Sequence, residues 1–291
     1  MRPESAPRSN PDYAIPIDDA VATFFRPSPA RPTSSEIDDL LKTSFSLLSG
    51  YGHHEAAKRV GEKRLRINPA SAVTAYLLKA IDGDPSLPRS PDDYLIEYFD
   101  AFADGFDQQL VNQLGYDIPQ KLCTLISNHI SVHQRVDVLD IGCGTGLCGP
   151  LLKPLSRSLT GVDLSPKMLQ RAALRKVYDR LVQQEVTSFL SDSPASADLI
   201  IATDVLIYFG DLDPLFHAIA RALRPGGLFA FSIENTGCNH ALLPSGRFAH
   251  ATQYVREIAA PLFAELASEP TTVRLEAAVP VCGNLFIFRR L

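Results

Sequence analysis

A short apolar run, Val136, Val138, Leu139 and Ile141, carries an acid at its end, Asp140, and breaks into Gly142, Gly144 and Gly146 at alternate positions. The run is too brief for a helix and reads as a buried strand. Glycines at that spacing let the backbone turn sharply and remove the Cβ atoms that would keep a ligand off the main chain. Leu147 to Leu155 reads as a helix whose free N–H groups aim back at the loop. Strand, glycine loop and helix make a nucleotide-type site at the carboxyl end of a parallel sheet. A G-x-G by itself also fits a plain tight turn, so the next strand has to decide between them. That second short strand, Ser158 to Val162, ends in Asp163, where an acid is placed to accept from both ribose hydroxyls of an adenosine.

Two ligands share this geometry, a dinucleotide and S-adenosylmethionine. A dinucleotide site wants a third small residue where the helix packs against the pyrophosphate, and this chain puts Leu147 there. A bulky residue at that point favours a ligand without a pyrophosphate. The stretch L-D-I-G-C-G-T-G over 139–146 resembles the first motif of the class I S-adenosylmethionine-dependent methyltransferases. The resemblance implies a cofactor set of Asp140, Gly142, Cys143, Gly144, Gly146 and Asp163. It adds Leu164 and Met168 near the adenine, Glu185 beside Val186 to accept from the exocyclic amine, and Thr203 against the methionine half.

The elements that must position these residues alternate in type. A strand at Arg180 to Gln184 follows a helix at Lys167 to Val177. A fourth strand at Asp198 to Thr203 and a helix capped at Asp213-Pro214 lead through Arg224-Pro225-Gly226-Gly227 to a fifth strand, Leu228 to Glu234. Val273 to Ala278 and Asn284 to Arg290, around Gly283, read as a closing hairpin. The fold class expected is α/β, a Rossmann-like seven-stranded sheet with an antiparallel terminal strand. Dehydrogenase folds do not end in such a hairpin.

The 291 residues divide into three regions: a proline-rich leader over 1–33 read as disordered, a helical prefix over 34–89, and the main domain over 90–291. The prefix opens on the capping-box pattern Thr33-Ser34-Ser35-Glu36. Its helices, ending near Gly50, Ile67 and Ile81, resemble part of a tetratricopeptide array, of which only about one and a half units are visible where about three are needed to stand alone. It therefore serves either as a packing element or homodimer face, or as a binding site for a peptide or carrier protein. From Ser90-Pro91, a helix cap, Tyr94, Leu95, Tyr98, Phe99, Phe102, Phe106 and Leu110 recur at helical spacing. This run resembles a helix that lies over the cofactor in one branch of small-molecule methyltransferases, which makes Tyr98 and Phe102 either pocket walls or core.

A hydrophobic content of 45% and a charged content of 21% are those of an ordinary soluble globular chain. A net charge of −5 offers no footprint for nucleic acid, and no apolar run is long enough to span a membrane. Five scattered cysteines without a C-x-x-C pair, and no signal-like start, point to the cytoplasm and to neither disulfide frame nor zinc site. No metal is expected.

The best overall resemblance is to tetratricopeptide-containing class I methyltransferases, carried also by G-V-D-L-S-P-K-M-L, D-V-L-I-Y and P-S-G-R-F-A-H. It implies methyl transfer to a small molecule, with O-methylation of an acid or hydroxyl compound favoured because Thr203-Asp204-Val205-Leu206 replaces the Asn/Asp-Pro-Pro-Tyr signature of many amide and base N-methyltransferases. Secondary metabolism is the expected setting. The alternative is a helical module recruiting a protein or carrier-bound substrate. Arg247 suits an anionic acceptor, His250 suits a base near neutral pH, and Tyr98 completes the catalytic candidates. The bland reading of Arg247 and His250 is that they cap the next helix.

Overall fold

The central strands send successive side chains to opposite faces, and both faces are apolar, so the sheet must be covered on each side. The computed structural model describes residues 32–84, 87–131, 135–276 and 279–291, apart from the side chains of 112 and 113. The disordered-leader expectation lies almost wholly outside the described residues. The strands are β1 (Val136–Ile141), β2 (Ser156–Asp163), β3 (Arg180–Gln183), β4 (Ala197–Ala202), β5 (Leu223–Glu234), β6 (His240–Leu242), β7 (Phe248–His250), β8 (Phe263–Glu276) and β9 (Val279–Arg290). Seven of them form one sheet in the order β3-β2-β1-β4-β5-β9-β8. β1 to β5 run parallel, and β9 is antiparallel to both of its neighbours. Strand order reverses between β1 and β4, so the crevice at their carboxyl ends is the natural ligand site.

Leu139, Ile141, Ile200, Phe229, Phe231, Phe286 and Phe288 fill one face of the sheet, and Val138, Leu199, Ile201, Ala230, Leu285 and Ile287 fill the other. The hairpin differs from expectation. Gly283 lies inside β9, paired with Glu234, and the reversal falls between Glu276 and Val279. The sequence cue failed there because this glycine serves strand packing rather than a turn. The helix expected over 147–155 is a single turn, Gly149–Leu152, followed by a 3₁₀ turn.

The described residues open on three helices of the prefix, α1 (Ser34–Gly50), α2 (His54–Ile67) and α3 (Ala72–Asp82). The capping box at Thr33 and Glu36 forms in full. Buried Arg64 ties the three together, reaching Asp38 at 2.9 Å, the Ser71 hydroxyl at 2.9 Å and the Thr74 hydroxyl at 2.5 Å. The aromatic helix α4 (Asp92–Phe102) starts after Pro91 without a side-chain cap, because the Ser90 hydroxyl is bonded to Tyr76 instead. It does not run on to Leu110: it breaks after Phe102 and resumes as a π-helical segment, Gln108–Gln113, before α5 (Ile118–Ser127). Among the described residues no helix is long and apolar enough to cross a membrane.

β6 and β7 form a separate two-stranded ribbon where the sequence suggests only an irregular loop, and the ribbon decides the fate of His250. The ring is fully buried, pairs across the ribbon with His240 and stacks on Tyr254. Its Nε2 lies 2.8 Å from the Phe209 carbonyl oxygen and 3.2 Å from that of Gly210, so that nitrogen carries the proton and donates. Burial lowers its pKa from 6.5 to about 4, against the pull of those carbonyls. His250 is therefore a neutral structural residue, not the base expected of it. Because the unfolded chain takes up this proton more readily, the contribution is complete above pH 6.5 and is lost as pH falls towards 4, up to about 3 kcal/mol in all. Denaturant unfolding from pH 7 down to 4.5 should show a shallower loss of stability in His250→Gln than in wild type; equal slopes would place the titration elsewhere.

Candidate active site

The glycine loop leaves β1 with Gly142, Gly144 and Gly146 all at positive φ, and Gly142 is wedged against the loop after β4, where an added Cβ would come within 2.4 Å of Val205. The Gly144 N–H donates to Asp163 Oδ2 at 2.8 Å, and the Ser165 N–H donates to Oδ1 at 2.8 Å. Asp163 is thus locked in orientation while each oxygen keeps a further lone pair. Burial pushes its pKa up, and these backbone donors pull it back.

A cavity of about 210 Å³ opens beside this loop at the carboxyl ends of β1 to β4. Of the sequence candidates, Gly142, Cys143, Gly144, Asp163, Leu164, Glu185, Val186, Thr203, Tyr98 and Arg247 all line it. Phe102 lines it too, so the aromatic stripe is pocket wall. Three further cofactor candidates stand back from the wall. Asp140 lies beneath the loop, accepting from the Tyr178 hydroxyl at 2.6 Å, and burial raises its pKa to about 7. Gly146 faces Tyr178 and Arg175, and Met168 is fully buried. Glu185 caps the helix Val186–Ser191, its two oxygens accepting from the amides of Thr187 and Ser188.

The aromatic helix forms the roof. Tyr98 stacks on Phe102 at 5.2 Å between ring centroids, and Phe99 meets Tyr208 edge-on at 5.6 Å. Acids on this helix and just past its end bond to the elements beneath. Asp100 accepts from the Ser165 hydroxyl at 2.5 Å, Asp104 pairs with Arg171, and Asp107 holds Arg175 at 2.5 Å and the Thr145 hydroxyl.

The polar end contains residues that sequence reasoning missed. Arg274, on β8, is 5% exposed and is gripped by Glu276 at 2.8 Å, Asp204 at 3.3 Å and Glu234. Arg247 pairs with Glu234 at 3.0 Å and with Glu276. Glu234 and Glu276 do not line the cavity, whereas both arginines do, so the acids present the guanidinium groups to it. Burial works against the charge on Arg274, but the three carboxylates outweigh it and raise its pKa. Asp204 also lines the cavity. It sits at a positive φ of 56°, costly for a residue with a Cβ, with its N–H donating to the Ser232 hydroxyl at 2.9 Å. Burial raises its pKa to about 6 despite Arg274, which leaves it ionised above that pH. Its place directly after β4 was a usable signal. Arg274 had none, because only strand pairing brings it here. Among the described residues no three His, Cys, Asp or Glu side chains are grouped to hold a metal ion.

The residues fit an adenosyl sulfonium ligand. Gly144 lines the cavity, and a Cβ built on it would meet nothing, so the main chain lies open to a ligand. Asp163 offers lone pairs for a ribose diol, and Leu164 and Val186 offer an apolar slot. The methyltransferase domain family matches residues 139–231. The malonyl-[acyl-carrier protein] O-methyltransferase of Chlorobium phaeovibrioides is 32% identical over 180 residues, 57% of this chain and 68% of that protein. The ubiquinone biosynthesis O-methyltransferase of Photorhabdus laumondii is 27% identical over 160 residues, 52% of this chain and 65% of that protein. The namesake enzyme from Idiomarina loihiensis is 31% identical over 40% of this chain, a match spanning 50% of its own length. The solved N-methyltransferase NodS from Bradyrhizobium japonicum, in complex with S-adenosyl-L-homocysteine, shares the fold with a TM-score of 0.54 and 20% identity over 67% of this chain and 98% of its own. With the motif, the sheet order and the cavity in agreement with these matches, the chain belongs to the class I S-adenosylmethionine-dependent methyltransferases, and S-adenosylmethionine is its cofactor.

Proposed function

We propose that the enzyme methylates an oxygen of a small acidic acceptor that docks against the guanidinium groups of Arg247 and Arg274 at the polar end of the cavity. The observation that carries this reading is the pair of guanidinium groups of Arg247 and Arg274 on the wall, held from behind by Glu234 and Glu276, with the Asp204 carboxylate beside Arg274 on the wall itself. The two named relatives compared over most of their length are O-methyltransferases, which supports oxygen as the methylated atom. When bound, S-adenosylmethionine supplies a methyl group already activated on a sulfonium, so the protein need only hold and align. In this reading Asp163 holds the ribose, the glycine loop admits the methionine half, and the aromatic roof keeps water out. A carboxylate acceptor needs no base, whereas a hydroxyl acceptor would pass its proton to Asp204.

The second reading is an acceptor carried by an acyl-carrier protein, as in the name of the Chlorobium relative. An open depression bounded by Pro88, Thr187, Asp211 and Pro214 shares Arg89, Glu185 and Phe209 with the cavity and offers a tethered substrate a way in. We read α1 to α3 as tetratricopeptide-like in both cases. Release of S-adenosylhomocysteine over a panel of free carboxylates, hydroxy acids and their carrier thioesters separates the two.

Arg247→Ala should raise the Michaelis constant for the free acid about tenfold or more, the scale of a lost charge-assisted hydrogen bond, with cofactor affinity held. Wild-type kinetics in that variant would move the acceptor away from Arg247. By calorimetry, Asp163→Ala should weaken cofactor binding by about 1–3 kcal/mol; unchanged affinity would remove Asp163 from the ribose position.

A further inference from the structure

Of the three prefix helices, α3 packs against the turn that carries Arg247 at the polar end of the cavity. Tyr76 on α3 is 2% exposed, and its hydroxyl donates to the Gly246 carbonyl at 3.0 Å while sharing a hydrogen bond with the Ser90 hydroxyl at 2.8 Å. Gly246 is the residue before Arg247. It closes a tight turn in which its N–H donates to the Leu243 carbonyl at 2.9 Å and the Leu243 N–H donates to the Arg247 carbonyl at 2.8 Å. Gly246 has φ +81°, and a Cβ there would meet Leu77 at 2.7 Å, with Tyr76 and the Tyr94 hydroxyl both at 3.2 Å. The prefix helix therefore lies directly on the turn that carries Arg247.

Two other paths run from the same tyrosine. Its ring packs on Tyr94 at 4.2 Å between centroids, and Tyr94 contacts Tyr98 of the roof at 5.7 Å. Ser90, bonded to the Tyr76 hydroxyl, donates its N–H to the Tyr208 carbonyl at 2.8 Å. Tyr98, Tyr208 and Arg247 all line the cavity. None of these contacts falls on the glycine loop or on Asp163.

We infer that the helical prefix supports the acceptor site from behind, and that Tyr76 is a positioning residue that sets the turn, the roof and the loop after β4 against one another. Burial of a phenol is stabilising through its ring alone, but a buried hydroxyl with two partners also fixes where those partners stand. The prefix so described governs acceptor geometry and leaves the cofactor end untouched. This rests on the reading of Arg247 as the acceptor anchor.

Tyr76→Phe in the full chain deletes the hydroxyl and keeps the ring. Amide hydrogen exchange followed by mass spectrometry should quicken about tenfold over 240–250 and stay unchanged over 142–149, as local opening would produce. The Michaelis constant for the acceptor found in the carboxylate panel should rise about tenfold, with that for S-adenosylmethionine within about twofold and turnover little altered. Unchanged exchange over 240–250, or equal rises in both segments and both Michaelis constants, overturns the inference. Arg247→Ala measured alongside separates the two ideas. If that variant has no effect on the acceptor, the anchor reading falls. If it has an effect and Tyr76→Phe has none, only the role of Tyr76 falls.

Discussion

Arg274 is the charge around which the polar end of the cavity is built. It is almost wholly buried on an outer strand, and a guanidinium in that position is tolerable only with carboxylates around it. The partners come from three places: Asp204 after β4, Glu234 at the end of β5, and Glu276 two residues along its own strand. Such a cluster is a poor source of net stability, because desolvation offsets most of the attraction. Its effect is geometric. It fixes three chain segments relative to one another, and through Glu234 and Glu276 it also holds Arg247.

The two ends of the cavity follow different physical logic. At the cofactor end the groups are backbone amides and two glycines whose missing side chains leave room, with one carboxylate locked by main-chain donors. Nearly everything needed there lies between β1 and the helix after β2. At the acceptor end the groups are long side chains, and each needs a partner to stand still. That end draws on α4, the loop after β4, the turn before β7 and the outer strand β8, supported from behind by α3.

The roof joins the two ends. Asp100 and, just past α4, Asp104 and Asp107 attach it to Thr145 in the glycine loop, to Arg171 of the helix Pro166–Leu174 and to that helix's caps, Ser165 and Arg175, all on the cofactor side. At the polar end Phe99 meets Tyr208, and Tyr98 packs edge-on against Phe99. Past the break after Phe102, Asp107 reaches Thr145 of the glycine loop.

Local chemistry was legible from the residues alone. Alternate glycines after a short apolar strand, and an acid closing the next strand, prescribe a loop with a carboxylate beside it, because both depend only on near neighbours along the chain. The sheet class was legible for the same reason, since strand and helix periods are properties of short windows. His250 was misjudged because its chemistry depends on burial, and burial was decided by a two-stranded ribbon that no periodicity announced. Arg274 was invisible because an arginine in a strand reads as solvent-facing until pairing of β8 with β9, and of β9 with β5, turns it inward against Glu234. The prefix was legible as helices, but its contact with the turn at Gly246 joins residues at opposite ends of the chain. Contacts across that separation leave no pattern in any local window, so only the folded chain could set them.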